Sequence, residues 1–275
     1  MNHKGKRSDL DHKAALMEAI RQNDIAKVVS LIENGVDIEP LSTLWLDSPL
    51  KWAIYMGHKF IVKILISKGA KTNLRDSDSF FPIHWAVRRN QKEIVEILLQ
   101  NGADVNAKCG YSSPTPIYYA LKEANIEIVK ILLSYDAKID EPNQDNVTPI
   151  HEAVYANQKS ILEMFLKTYP NLTKPCFNSI LQFAIYSNMP DIAEMLINYG
   201  VQIDAYYTEI GATPIHVAVG LCENNALENT KMLLRKGASM KIKNIDGYTP
   251  LECALKKDNG KKLDFMKVIT YHQHN

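Results

Sequence analysis

Three histidines recur in one six-residue frame, as "FPIHWA" with His84, "TPIHEA" with His151 and "TPIHVA" with His216. Histidine is the first residue to consider for chemistry, because its imidazole can act as a general base or a metal ligand near neutral pH. A catalytic histidine, however, is needed once, in a pocket where other polar groups converge. A histidine that returns at a fixed position of a repeated frame is more simply part of the frame. We therefore interpret all three as structural residues.

Other candidates for catalysis or metal binding are weak. His272 and His274 form an HxH pair, but no cysteine or acidic residue stands at zinc-site spacing from them. The four cysteines are far apart and form no CxxC pair. The sequence contains no GxGxxG, GxxxxGK(S/T), GxSxG or HExxH motif. We predict a protein that is not an enzyme and that uses no cofactor and no metal.

The composition also argues against two classes of partner. Lys and Arg number 32 and Asp and Glu 31, for a net charge of +1, so no positive excess favours a nucleic-acid backbone. Apolar runs such as "IVEILL" are far shorter than the roughly 20 residues of a membrane span, and no signal-peptide apolar stretch follows the basic N-terminus. We expect a cytoplasmic protein, with the nucleus as an alternative, and neither a nucleic acid nor a membrane as partner.

The histidine frame belongs to a repeat that runs through the chain. Each frame is followed by a second apolar stretch such as "EIVEILL" and then by a turn such as "NGADVN". The frames end in an alanine, at intervals of 31 to 36 residues: Ala19, Ala53, Ala86, Ala120, Ala153, Ala184, Ala218 and Ala254. This spacing predicts eight units, at about 10–42, 43–75, 76–109, 110–142, 143–173, 174–207, 208–243 and 244–271.

Each unit has the signals of two helices followed by a turn. A Thr or Ser in the frame is a good N-cap, and the proline after it suits the first helical position, where its missing N–H costs nothing. Ile94, Val95, Leu98 and Leu99 recur at helical spacing in the second stretch. A glycine suited to a left-handed C-cap follows five of the second helices: Gly35, Gly69, Gly102, Gly200 and Gly237. In the fourth unit, Asp136 takes the place of this glycine. The junction at 168–179 departs most from the frame, and we expect a kink there.

The frame "TPIHEA" and the segment "EIVEILLQNGADVNA" resemble the ankyrin repeat, whose signature is T-P-L-H-x-A. The resemblance covers roughly residues 10–270 and implies an all-α solenoid of stacked helix–turn–helix units with β-hairpin fingers. It implies one domain over 1–275, with the first and last units as caps, and frame histidines that hydrogen-bond to adjacent loops. It also implies a protein partner, bound on the concave face and the finger tips by a chain that we expect to be monomeric.

The positions that the resemblance assigns to a partner lie in the fingers and just past the alanine of each first helix. We predict that they include Tyr55, Met56, Phe80, Arg88, Arg89, Lys122, Tyr155 and Tyr186. Tyrosine and arginine are enriched in binding hot spots. We expect Phe80, Arg88 and Arg89 to face outward. The aromatic series Trp52, Trp85 and Tyr119, one position before the alanine, has two explanations. Its rings pack between first helices, or they form a semi-exposed ladder on the concave face.

A modification site is also implied by the resemblance. In ankyrin domains, an asparagine that follows "DV" in a finger is often a substrate of the factor-inhibiting asparaginyl hydroxylase. Asn106 in "LLQNGADVNA" matches this position, with Leu98 eight residues earlier. The alternative is an ordinary hairpin asparagine.

Two functional classes stay open. The chain is rich in Ile, Lys and Asn, and turns such as "LLSYDAKIDEP" and "LINYGVQIDAY" resemble poxvirus ankyrin-repeat host-range proteins. Many of those carry a C-terminal F-box-like segment, for which this sequence leaves no room after its last repeat, so we expect a protein that sequesters a host factor. The alternative is a cellular adaptor or an inhibitor resembling those of Rel-type transcription factors. The N-terminal "KRSDLD" lacks the twin serines of such inhibitors.

Overall fold

The structure is a computed structural model, and it describes residues 3–39, 48–76, 78–169, 175–207, 211–220, 226–256, 265 and 267–268. The chain forms two compact units, which we describe separately. The first unit is Met1–Glu152 and the second is Ala153–Asn275.

The described residues fold into α-helices. Those of the first unit are α1 His3–Arg21, α2 Ile25–Glu33, α3 Pro49–Met56, α4 Lys59–Ser67, α5 Pro82–Arg88, α6 Lys92–Gln100, α7 Pro116–Lys122 and α8 Ile126–Ser134. Helix α9, Pro149–Tyr155, contains the boundary. The second unit continues with α10 Lys159–Thr168, α11 Pro175–Tyr186, α12 Pro190–Asn198, α13 Pro214–Gly220, α14 Ala226–Arg235 and α15 Pro250–Leu255. The all-helical fold class is confirmed.

The frames start the helices as their capping residues predict. Six helices begin at the frame proline, and the Ser48 hydroxyl before α3 accepts a hydrogen bond from Lys51 N at 3.0 Å. Two helices begin earlier than the frame: α11 at Pro175, ahead of "SILQFA", and α1 at His3. Both of these frames lack the Thr-Pro start signal, so the helix extends to an earlier first turn. The centre of the kink predicted at 168–179 lies outside the described residues.

The frame alanines are where neighbouring first helices meet. All eight of them are 0% exposed. In the first unit α1 packs on α3, α3 on α5 and α5 on α7, and in the second unit α11 packs on α13 and α13 on α15. A methyl side chain at each contact lets the helix axes approach closely, which explains why the frame ends in alanine.

The turns after the second helices also follow the sequence. All five glycines expected at left-handed C-caps have positive φ, between 80° and 96°. Asp136 takes the same conformation with φ 62°. Aspartate tolerates this region better than most residues do, because its short side chain can hydrogen-bond locally.

The fingers differ from the β-hairpins that we expected. Within the described residues there is no strand, only a single antiparallel bridge between Tyr207 and Ala212. Three fingers are held by backbone hydrogen bonds across the turn and by a side-chain oxygen that accepts hydrogen bonds from the backbone N–H groups two and four residues later. The oxygens belong to Asp76, Asn143 and Asn244, at distances of 2.8 to 3.1 Å. Such local side-chain bonds stabilise short turns that lack a strand ladder.

Candidate functional site

The frame histidines are buried and serve the fold. Nδ1 of His151 lies 2.6 Å from the Thr148 hydroxyl, and Nδ1 of His216 lies 2.7 Å from the Thr213 hydroxyl. Nε2 of His216 lies 3.1 Å from the carbonyl oxygen of Tyr248 in the following finger, to which it can donate. Burial lowers the pKa of His151 to about 4. A neutral, hydrogen-bonded imidazole supports the structural interpretation.

His84 lacks the threonine partner of the other two, because Phe81 occupies that position. Its Nδ1 accepts only a 3.3 Å hydrogen bond from the backbone N–H of Phe81. Nε2 of His84 lies near the carbonyl groups of Ala107 and Pro114, which favour the protonated ring. Within the described part of the chain, however, Nε2 forms no well-directed hydrogen bond. Burial outweighs these carbonyls and lowers the pKa of His84 to about 4.

Partly exposed rings and guanidinium groups form a connected surface over four consecutive first helices and one finger. We call it the arginine–aromatic surface, and its members are Arg21, Trp52, Tyr55, Phe80, Trp85, Arg88, Arg89 and Tyr119. It begins at the end of α1, where Cζ of Arg21 lies 5.0 Å from the ring centroid of Trp52. On α3 the Trp52 and Tyr55 centroids are 5.7 Å apart, and Tyr55 reaches Trp85 of α5 at 5.9 Å.

Two exposed arginines stack on these rings. Cζ of Arg89 lies 4.2 Å from the Tyr55 centroid. Cζ of Arg88 lies 5.0 Å from the centroid of Phe80 and 5.5 Å from those of Trp85 and Tyr119. Cation–π contacts of this kind contribute about 0.5–1 kcal/mol each at exposed sites. Among the described residues, neither arginine forms an ion pair. The ring contacts therefore restrain both guanidinium groups, and among the described residues their N–H donors form no hydrogen bond.

Phe80 is less exposed than expected. Its ring is half-buried, with centroids 5.4 Å from Trp85 and 5.8 Å from Tyr119. A finger aromatic at this position buries part of its area against rings of α5 and α7. Trp52, Trp85 and Tyr119 are also half-buried, which favours the semi-exposed arrangement over complete packing between helices.

Asp76 fixes the orientation of Trp85. One carboxylate oxygen holds the finger turn, while the other accepts a 2.7 Å hydrogen bond from Trp85 Nε1 and lies 3.0 Å from Lys51 Nζ. The Asp76 side chain is only 6% exposed, so these charge-assisted contacts are well shielded. The sequence analysis missed Asp76 and Lys51. The sequence did contain a signal for Asp76. Asn143 and Asn244 occupy the same turn position in other fingers, and of these three residues only Asp76 is charged.

The other candidate residues lie outside this connected set. Met56 is 40% exposed at the end of α3, and Lys122 is exposed at the end of α7, 5.5 Å from the ring centroid of its neighbour Tyr118. Tyr155, whose ring centroid is 4.2 Å from that of Phe183, and Tyr186 are exposed residues of the second unit. The structure thus brings together Tyr55, Phe80, Arg88 and Arg89 of the predicted residues.

The comparison with known families agrees with the helix pairs and the histidine frames. A family model described as ankyrin repeats, in three copies, matches residues 16–109, 109–176 and 181–274. The chain belongs to the ankyrin-repeat family. No curated protein matches it significantly. Ankyrin repeats are generally protein–protein interaction modules and are typically non-catalytic binding scaffolds.

Asn106 links two successive ankyrin fingers. Its Nδ2 donates to the carbonyl oxygen of Asp136 at 3.2 Å, and its Oδ1 accepts from the N–H of Lys138 at 2.9 Å. One unit earlier, Asn73 makes the same pair of contacts with Gly102 and Asp104, at 2.7 and 2.9 Å. The half-buried Asn106 amide therefore has a structural role in the folded protein.

Other potential chemistry is limited within the described part of the chain. Cys109 is buried, and its burial raises the pKa of the thiol, contrary to an activated cysteine. No group of three or more His, Cys, Asp or Glu residues there is placed to hold a metal ion. His272 and His274 lie outside the described residues. None of the described helices has the length and apolar character needed to span a membrane.

Proposed function

We propose that this ankyrin-repeat protein captures a protein partner on the arginine–aromatic surface of its first unit. The observation that carries the proposal is the pair Arg88 and Arg89, whose guanidinium groups lie within 5.5 Å of four ring centroids and have no ion-pair partner among the described residues. Solvated surfaces favour lysine and glutamate, whereas binding hot spots favour tryptophan, tyrosine and arginine. Stacking also reduces the side-chain entropy that binding would otherwise cost.

We also propose eight repeats in one domain over 1–275, with capping units at both ends. The regular spacing of the frame alanines supports this number. Of the remaining predicted positions, Met56 and Lys122 would extend the binding surface of the first unit. Tyr155 and Tyr186 would be binding positions of the second unit.

A more specific proposal concerns the source of the protein and the kind of partner that it binds. We propose a viral or pathogen protein that sequesters a host factor in the host cytoplasm and acts as a monomer. The abundance of Ile, Lys and Asn, which A/T-rich codons encode, supports a source with an A/T-rich genome. The second candidate is a cellular ankyrin adaptor or inhibitor.

A photo-crosslinking experiment tests the proposed surface. Benzoylphenylalanine is introduced at Met56, beside the arginine–aromatic surface, or at Phe60, which is 58% exposed on the second helix α4. We expect a discrete protein adduct in host-cell extract from position 56 and none from position 60. Equal crosslinking from the two positions, or none from either, would contradict the proposal.

The double variant Arg88→Ala with Arg89→Ala then measures the contribution of the arginines. We expect partner binding to weaken by about 2 kcal/mol or more, as for hot-spot residues. Lys59→Ala with Lys63→Ala, which removes two exposed cations from α4, is the matched control and should bind like the parent.

A further inference from the structure

The rings of the arginine–aromatic surface already hold cations of the chain itself. Arg88 lies over Phe80, Trp85 and Tyr119, Arg89 lies over Tyr55, and Nζ of Lys51 lies 5.0 Å from the Trp85 centroid. Proteins that bind single-stranded nucleic acids need aromatic faces on which bases stack. Here the open groups are guanidinium N–H donors instead, so the surface suits an acceptor of hydrogen bonds that carries negative charge.

The number of uncompensated cations limits the size of that acceptor. Arg21 is 3.7 Å from Glu18, and Lys51 is paired with Asp76, so neither is free to recognise a partner by charge alone. Among the side chains that the structure describes on α1, α3, α5, α7, their caps and the finger that carries Phe80, the cations without an ion-pair partner are Arg75, Arg88, Arg89 and Lys122. Four cations fit a short acidic segment, whereas a polyphosphate chain would need a longer basic track.

The arrangement also explains why arginines stand at this place. A guanidinium stacked on a ring presents its fork of donors in its own plane, where it binds a carboxylate through two parallel hydrogen bonds. Asp76 holds Trp85 through a 2.7 Å hydrogen bond, so part of the ring support for Arg88 is itself fixed. Arg88 is therefore restrained by a fixed ring before a partner arrives, and Arg89 is restrained by its contact with Tyr55.

We propose that Arg88 and Arg89 recognise carboxylates, and that the partner of this protein binds through a short segment rich in glutamate or aspartate. This inference rests on the proposed function, because it names the chemistry of the partner at the same surface. Lys122, at the end of the neighbouring helix α7, extends the recognition to a further acidic residue.

Fluorescence anisotropy with defined probes tests the inference on the full chain. The probes are a short labelled peptide in which every second residue is glutamate, the same peptide with glutamine in those places, and a single-stranded oligouridylate of equal charge. We expect the glutamate peptide to bind at least about ten times more tightly than either of the other probes. The variant Arg88→Gln with Arg89→Gln should reduce its affinity at least about tenfold. The pair Arg88→Lys with Arg89→Lys should fall between the variant and the parent, because lysine keeps the charge and loses the planar fork.

The control removes the same charge elsewhere. Lys59→Gln with Lys63→Gln should bind the glutamate peptide as the parent does, and circular dichroism should show every variant folded. Equal binding of the glutamate and glutamine peptides would overturn the inference, as would tighter binding of the oligouridylate or an equal loss in the control variant. If position 56 crosslinks to a partner but any of these outcomes is observed, only the inference of an acidic segment is overturned. If position 56 gives no crosslink, the proposed function itself is overturned.

Discussion

The first unit should lose stability on mild acidification because of its buried histidines. Burial holds the pKa of His84 and His151 near 4 in the folded state, whereas in the unfolded chain each returns to its ordinary value of 6.5. The unfolded state therefore binds more protons between these values. The stability contributed by the neutral rings is fully present above about pH 6.5 and is lost as the pH falls toward 4.

The size of the effect follows from the two pKa values. Between about pH 7 and about pH 5.5, each histidine should lower the free energy of unfolding by about 1.2 kcal/mol, or about 2.5 kcal/mol for the pair. The pKa of His216 is also lowered by burial, but it lies in the second unit. This pH range stays above the region where carboxylates titrate, so histidines dominate the change.

Urea denaturation followed by tryptophan fluorescence measures the effect in the appropriate unit. All three tryptophans, Trp45, Trp52 and Trp85, belong to the first unit. We expect the double variant His84→Gln with His151→Gln to be less stable at neutral pH and to lose little further stability at about pH 5.5. If the parent and the double variant lost equal stability over this range, the buried histidines would not be the cause and the reasoning would be refuted.

Three further predictions concern the second repeat and its neighbours. Phe81→Thr should raise the free energy of unfolding by about 1 kcal/mol in urea denaturation, because it gives His84 the hydroxyl partner that His151 and His216 already have. An unchanged urea midpoint would argue against a stabilising hydroxyl–imidazole contact. Asp76→Asn should keep the finger turn but lower the free energy of unfolding by about 1.5 kcal/mol, because Trp85 and Lys51 lose a charged acceptor. The tryptophan emission should shift as well. A free energy of unfolding equal to that of the parent would contradict a stabilising, shielded ion pair. Co-expression with the asparaginyl hydroxylase should add one oxygen atom to the tryptic peptide that contains Asn106, and an unmodified peptide would end that hypothesis.

The repeat itself follows from the sequence because its signals are local. A frame proline at the first helical position, a hydroxyl that caps the N–H three residues later and a glycine with positive φ all act within one turn of the chain. Such signals placed the starts of α3 and α15 and the left-handed residues after the second helices. Where the frame lacked Thr-Pro, as before α1 and α11, the predicted start was also lost.

The candidate site was predicted only in part, because its contacts join different repeats. The sequence indicated Tyr55, Arg88 and Arg89 through their positions past the frame alanines. It did not indicate that Phe80 would be half-buried, or that the second carboxylate oxygen of Asp76 would hold Trp85. Residue type and spacing specify which face of a helix a side chain occupies. Whether a ring, a guanidinium and a carboxylate meet depends on the rotamers and separations of neighbouring helices, and only tertiary packing determines these.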